Sequence, residues 1–127
     1  MQIIGIGTDI VGCGRMERML AEHGEHFTSH VFTALESAYS LRGKNAVQHF
    51  SGRWAAKEAV LKALGTGWVS GITWRDVEVI NDPAGKPVVH LHGGAAKKAA
   101  ELSITEILLS ISHCRSYATA FAVAVGV

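Results

Sequence analysis

The sequence predicts an α+β fold in which a largely antiparallel sheet packs against a long central helix and shorter helices. Three observations predict it. β-rich segments stand at both ends of the chain and in its middle, the later ones pair off around turns, and the helical segments are grouped between them. At 127 residues the chain has the size of one domain, so residues 1–127 are read as a single unit with a modest core. Twelve Lys and Arg against eleven acidic residues leave a net charge of +1. Such a balance offers no global field for nucleic acid or an anionic membrane, and neither is expected as a partner.

Residues 3–11 alternate, with Ile4, Ile6, Thr8 and Ile10 on one face and Gly5, Gly7, Asp9 and Val11 on the other, which predicts a strand delivering Asp9 near its end. Met16, Met19 and Leu20 then repeat at helical spacing up to Gly24. A second short helix is expected over 33–41, with Thr33 as N-cap and Glu36 three residues on, the spacing of a capping box. From Ala46 to Leu64 there is no proline, alanines are frequent, and Gly65 and Gly67 close the run, so the longest helix lies here. Val47, Phe50, Trp54, Leu61 and Leu64 share one stripe of it, and Glu58 falls roughly 80° from Phe50, at the stripe's edge. After the loop 66–71, residues 76–81 and 87–91 flank a turn containing Pro83 and Gly85 and read as a hairpin. A short helix over 95–102 precedes a second hairpin, 106–112 with 117–125, around the turn at 113–116.

The two cysteines, Cys13 and Cys114, are far apart and match no zinc spacing, so a reduced, cytoplasmic protein is the simpler reading. The start of the chain is apolar but interrupted by glycines and an aspartate, and it is far short of a membrane span.

Among residues able to carry chemistry, Asp9 stands where a strand runs into a glycine-flanked turn, a position equally suited to capping that turn. Glu58 and Lys62 are four apart on the long helix, a spacing that also makes an ordinary surface ion pair of about 0.3–0.5 kcal/mol. Arg53, Lys57 and Lys62 are expected to gather around Glu58 near the Gly65-Thr66-Gly67 loop, a setting for an anionic ligand. That loop follows a helix C-terminus, whose dipole repels anions, so it is no Walker-type loop. Two hard oxygen ligands, Asp9 and Glu58, suit a magnesium ion that completes its shell with water and phosphate. Arg53 would grip phosphate as a fork and Lys62 as a point charge. His113 stands between two strands, and the other histidines form no metal motif such as H-E-x-x-H.

Four segments together resemble one family: Gly5-Ile-Gly-Thr-Asp-Ile-Val11, Gly52-Arg-Trp-Ala-Ala-Lys-Glu-Ala59 with Lys62-Ala-Leu-Gly-Thr-Gly67, Trp74-Arg-Asp-Val-Glu78, and Ser110-Ile-Ser-His113 with Tyr117-Ala118. In order and spacing they look like holo-acyl-carrier-protein synthase, a 4′-phosphopantetheinyl transferase. The resemblance implies that coenzyme A and an apo acyl carrier protein yield the holo carrier and adenosine 3′,5′-bisphosphate, with magnesium required. It also implies a homotrimer with active sites at subunit interfaces and a place in fatty acid biosynthesis. By position it makes Asp9 and Glu58 metal ligands, Lys62 a phosphate contact and His113 a nucleotide contact. Arg53, Gly65, Thr66 and Gly67 match the coenzyme A pocket, and Arg15 and Arg18 are the candidates for docking the acidic carrier. Two positions depart from the pattern: Gly12 stands where many relatives carry an acid, and Cys114 where threonine or aspartate is common.

Such a reaction needs charge neutralisation and in-line positioning more than a covalent nucleophile. The base is Glu58, acting through water, or Lys62 if burial or positive neighbours lower its pKa. Competing readings are a small nucleotide- or RNA-binding module and a magnesium-dependent phosphodiesterase. Near-neutral charge and the lack of an aromatic RNA-binding motif disfavour the first, and the second would need no carrier protein.

Overall fold

The computed structural model describes residues 1–67, 69 and 71–127. Trp68 and Ser70 of the expected loop 66–71 lie outside the described residues. The elements run β1 (Gln2–Gly12), α1 (Cys13–Val31), α2 (Ala34–Ser40), α3 (Ala46–Leu64), a 3₁₀ turn (Trp74–Asp76), β2 (Val77–Asn81), β3 (Pro87–Leu91), α4 (Gly93–Glu101), β4 (Ile104–His113) and β5 (Tyr117–Gly126). The strands form a three-stranded sheet, β1-β5-β4, and a two-stranded sheet, β2-β3, with every pairing antiparallel. The α+β class and both hairpins are as the sequence predicts.

The inner face of the three-stranded sheet is made of very small residues. Gly5, Gly7, Asp9 and Val11 of β1 stand opposite Ala124, Ala122, Ala120 and Ala118 of β5. Those alanines in turn face Ile107, Leu109, Ile111 and His113 of β4. The long helix α3 uses the room this leaves. A Cβ placed on Gly5 would lie 1.9 Å from the Ala63 carbonyl oxygen, and one on Gly7 1.9 Å from that of Ala59. Strand and helix therefore meet backbone to backbone.

α3 itself departs from the single apolar stripe expected of it, because it is buried on nearly every side. One flank of small residues, including Ala55, Ala59 and Ala63, meets the sheet, while Phe50 joins a second cluster with Met16, Phe27, Val31 and Phe32. α1 also runs further than expected. Gly24 breaks its helical geometry at φ 50° and ψ −130°, yet the helix resumes and ends at Val31. The resumption follows from packing, since Phe27 stacks on Trp54 at 5.4 Å and Val31 is buried beside Phe32.

The capping box of α2 forms as expected, with the Glu36 N–H donating to Thr33 Oγ1 at 3.3 Å and the Thr33 N–H to Glu36 Oε1 at 2.9 Å. Glu36 is also the counter-ion of Lys57, at 2.8 Å, and both side chains are fully buried. Lys57 Nζ donates further to the carbonyls of Trp74 and Val77, and Glu36 Oε2 accepts from the Val79 N–H. Lys57 thus bolts α3 to α2 and β2 and is not one of the cations around Glu58 that the sequence suggested. Consecutive helical residues point about 100° apart, so a lysine aimed at the core leaves its neighbouring glutamate aimed elsewhere.

Gly7→Ala tests the backbone contact. Its methyl has no room unless α3 shifts, so a loss of about 1–3 kcal/mol or more is expected in urea denaturation. A variant with the wild-type midpoint and slope would contradict the close approach.

Candidate active site

The close approach of β1 to α3 carries Asp9, on the same strand face as Gly7, to the flank of α3 where Glu58 stands. The two carboxylates line one cavity of about 270 Å³, together with Val11, Gly12, Met16 and Trp54. Arg15 also lines it, its guanidinium 6.0 Å above the Trp54 ring. Lys62 donates to the Thr8 carbonyl at 2.9 Å and pairs with Asp9 Oδ1 at 3.2 Å. With its side chain more than half exposed, that bridge contributes little to stability and leaves the ammonium free to move toward an anion.

The donor set fits magnesium. Two hard oxygen side chains share the cavity, and no cluster of three or more His, Cys, Asp or Glu able to hold a metal occurs among the described residues. A pair of carboxylates leaves most of the shell to water and substrate oxygens, as magnesium prefers, and lacks the nitrogen or sulfur donors of a zinc site. Gly12, at the mouth of α1, also lines this cavity, and a Cβ there would meet nothing within 4 Å. The structure thus leaves room for a Cβ at this position.

Arg53 lies elsewhere. On α3, His49 and Arg53 point roughly 140° away from Trp54 and Glu58, and they line a second cavity of about 150 Å³ with Tyr39, Asn81, Ile111 and His113. The expected gathering of Arg53 around Glu58 is therefore wrong: they stand only five residues apart in sequence, and that spacing turns them to opposite flanks of the helix. Among the described residues the two cavities share no lining residue.

The second cavity is built to attract anions. Arg53 is 4% exposed, its guanidinium lies 4.0 Å over the Tyr39 ring, and Nη2 donates to Asn81 Oδ1 at 2.5 Å. Its Nε has no hydrogen-bond partner. Burial pulls its pKa below the usual arginine value, against the opposing pull of Tyr39 and Glu36. No carboxylate is among the described residues lining the cavity. His49 sits 5.1 Å from the Tyr39 ring and 6.2 Å from the His113 ring, centre to centre. Burial first, then Arg53 and His113, hold its pKa below the ordinary histidine value, against a hydrogen bond with the Ser40 backbone.

Sequence reasoning missed Tyr39, His49 and Asn81. For His49 a signal existed, since it stands four residues before Arg53 on the same helical face. For Tyr39 and Asn81 it did not, because only the fold brings α2 and the β2-β3 turn to this place. Gly65 and Thr66 line a third cavity with Gly71, Gly94, Lys97 and Lys98. Gly65 is the left-handed C-cap of α3, and Thr66 Oγ1 donates to the Gly67 carbonyl at 2.9 Å. Arg18 is exposed on α1 and lines none of the cavities described here.

The profile of the 4′-phosphopantetheinyl transferase superfamily matches residues 5–122. The chain is 47% identical over 120 residues to the holo-[acyl-carrier-protein] synthase of Protochlamydia amoebophila, covering 94% of this chain and 96% of that one. It superposes on the crystal structure of holo-[acyl-carrier-protein] synthase from Neisseria meningitidis with a TM-score of 0.88, at 34% identity, over 98% of this chain and 99% of the other. The holo-(acyl-carrier-protein) synthase from Bacillus anthracis in complex with CoA (3′,5′-ADP) matches with a TM-score of 0.81, at 33% identity and over 100% of both chains.

The depressed pKa of His49 has a definite sign. Its imidazole is harder to protonate in the folded state than in the unfolded one, so its contribution is present above 6.5 and is lost as pH falls through the folded value. The ligand-free protein should lose stability on acidification below that point, and His49→Phe should flatten this limb relative to wild type in urea melts taken across the range. Parallel pH profiles for the two proteins would refute the assignment.

Proposed function

The chain belongs to the 4′-phosphopantetheinyl transferase superfamily, and on that premise we propose that it moves the 4′-phosphopantetheine group of coenzyme A onto a serine of apo acyl carrier protein. The products are the holo carrier and adenosine 3′,5′-bisphosphate, and the reaction supports fatty acid biosynthesis. The observation that carries this reading is the meeting of Asp9 from β1 and Glu58 from α3 in one cavity, within a chain so similar to known holo-acyl-carrier-protein synthases.

Asp9 and Glu58 would hold the magnesium ion, which when bound supplies Lewis-acid polarisation and neutralises phosphate charge. The carrier serine oxygen attacks the phosphorus bonded to pantetheine, and the bond from that phosphorus to the adenosine bisphosphate breaks. Glu58 receives the serine proton through a water molecule. Lys62, already within reach of Asp9, swings to the phosphate oxygens as a mobile positive charge. Arg53 and His113 hold the nucleotide end, where a buried guanidinium with an unused Nε favours a phosphate. The backbone of Gly65, Thr66 and Gly67 borders the remainder of the coenzyme A path. Arg15, at the rim of the first cavity, and Arg18 on the exposed side of α1 receive the acidic carrier.

The metal-side and nucleotide-side residues sit on opposite flanks of α3, so a single copy offers two half-sites. A homotrimer resolves this, with the first cavity of one copy facing the second cavity of its neighbour. The outer face of the three-stranded sheet supports such an assembly: Ile6, Ile10, Leu108 and Phe121 are 40–63% exposed there, an apolar surface that water covers poorly. Residues 1–127 act as one transferase domain in the cytoplasm, a reading that the free thiols of Cys13 and Cys114 support. No helix among the described residues is long and apolar enough to cross a membrane.

Incubation with coenzyme A, magnesium and apo carrier should add one phosphopantetheine to the carrier by mass spectrometry. Coenzyme A cleaved to the same extent without any carrier would point to a phosphodiesterase instead. Asp9→Ala and Glu58→Ala should each cut the rate by about 10²–10⁴-fold while the protein stays folded, and wild-type rates in both would discard the assigned roles. Light scattering should give about three times the 13.5 kDa chain mass, and a monomer's mass at assay concentration would rule out the shared-site trimer.

A further inference from the structure

The second cavity holds more basic groups than one phosphate contact requires. Its lining brings two histidines and an arginine together, with no carboxylate among the described residues to balance them. His49 is the inner member, set between Tyr39 of α2 and His113 of β4, with Arg53 one turn along its own helix. The other charged groups nearby do not offset this. Arg42 lies over the Tyr39 ring at 5.7 Å, and Glu36, which acts on Arg53, is bound to the buried Lys57. One ring nitrogen of His49 is engaged by the Ser40 backbone, and the other, Nδ1, has no hydrogen-bond partner among the described residues.

Burial first, then Arg53 and His113, make His49 harder to protonate than an ordinary histidine. A doubly charged phosphate between His113 and Arg53 reverses the sign of the local field, and an anion within about 4–6 Å favours the charged form of an imidazole. Resting on the reading of this cavity as the nucleotide end of the coenzyme A site, we propose that His49 takes up a proton from solvent at Nδ1 when the 3′-phosphate monoester enters. The resulting imidazolium makes the cavity prefer coenzyme A over its analogue lacking that phosphate, increasingly so as the pH falls. No bond between protein and ligand forms or breaks. The phosphate itself, with a second pKa near about 6, sheds any remaining proton beside the Arg53 guanidinium, so net uptake is a lower bound on what His49 gains.

The test is calorimetric titration of the magnesium-supplemented protein with coenzyme A and with dephospho-coenzyme A, in buffers of different ionisation enthalpy. Wild type should take up roughly half a proton or more near pH 7 with coenzyme A and none with the dephospho analogue. Its preference for coenzyme A should fall by up to about tenfold per pH unit through the titration of one group. His49→Phe, which keeps a ring beside Tyr39, and His49→Gln, which keeps polarity, should both abolish the uptake and flatten the pH dependence, with thermal melts confirming folding. Uptake of wild-type size in either folded variant overturns the proposal, as does a wild type that prefers coenzyme A without taking up a proton. Equal affinity for the two ligands in wild type overturns the nucleotide reading of the cavity, and the proposal with it.

Discussion

The contact between the backbone of β1 and the backbone of α3 sets the geometry of the cavity that Asp9 and Glu58 line. Gly5 and Gly7 lie so close to the carbonyls of Ala63 and Ala59 that no side chain fits between. Because side chains alternate along a strand, the next residue on the face that meets the helix is Asp9. Because α3 advances one residue at a time, the residue just before Ala59 is Glu58. Two glycines and two alanines thereby place two carboxylates at one cavity without any direct bond between those carboxylates being needed. The alanines of β5 continue the same low surface across the sheet and let the helix lie flat on it.

A second constraint works on the far side of the helix. Lys57 and Glu36 form a buried ion pair, and burial pulls the lysine pKa down while Glu36 pulls it up. Taking two charges out of water costs enough that such a pair is not a source of stability by itself. Its value lies in what it connects. Glu36 accepts from the Thr33 and Val79 N–H groups, and Lys57 serves the Trp74 and Val77 carbonyls, so four segments share one satisfied polar knot. Loss of either partner strands the other charge in the core, at a cost of about 3–5 kcal/mol. The knot also fixes where α2 and the β2-β3 hairpin stand, and hence where Tyr39 and Asn81 meet Arg53.

How much of this was legible in the sequence depended on the range of the interaction involved. Period-two alternation exposed β1, turn residues exposed both hairpins, and the Thr33–Glu36 spacing exposed a capping box, because each is decided within a few residues. Gly24 does break α1 where the sequence ends it, and the helical segment beyond it to Val31 was not legible because contacts of Phe27 and Val31, made across the fold, support it. Lys57 was misread for a related reason. A lysine beside a functional glutamate looks like a cation for a phosphate, and nothing in its neighbours in sequence announces a buried carboxylate twenty-one residues away. The meeting of Asp9 with Glu58 was foreseen from family resemblance and residue chemistry, whereas the separation of Arg53 from them follows from helical phase that the sequence displays but that the charge pattern obscured.

The same phase bears on why the site would need more than one copy. A rigid helix buried on nearly all sides cannot rotate to present Glu58 and Arg53 to one phosphate chain, and the two cavities open on different flanks. In the three-stranded sheet, Asp9 belongs to one edge strand, β1, and His113 to the other, β4, with β5 between them. If the two half-sites join, the β1 edge of one copy must approach the β4 edge of the next. These are different surfaces, so the proposed contact is heterologous, a kind that makes a ring where its rotation closes and an open filament where it does not. An apolar outer sheet face on every copy then has an interior to occupy, as the core of such a ring. The proposed cyclic assembly would account together for a site divided between two flanks of α3, the position of its halves at opposite sheet edges, and the isoleucines and phenylalanine left facing outward.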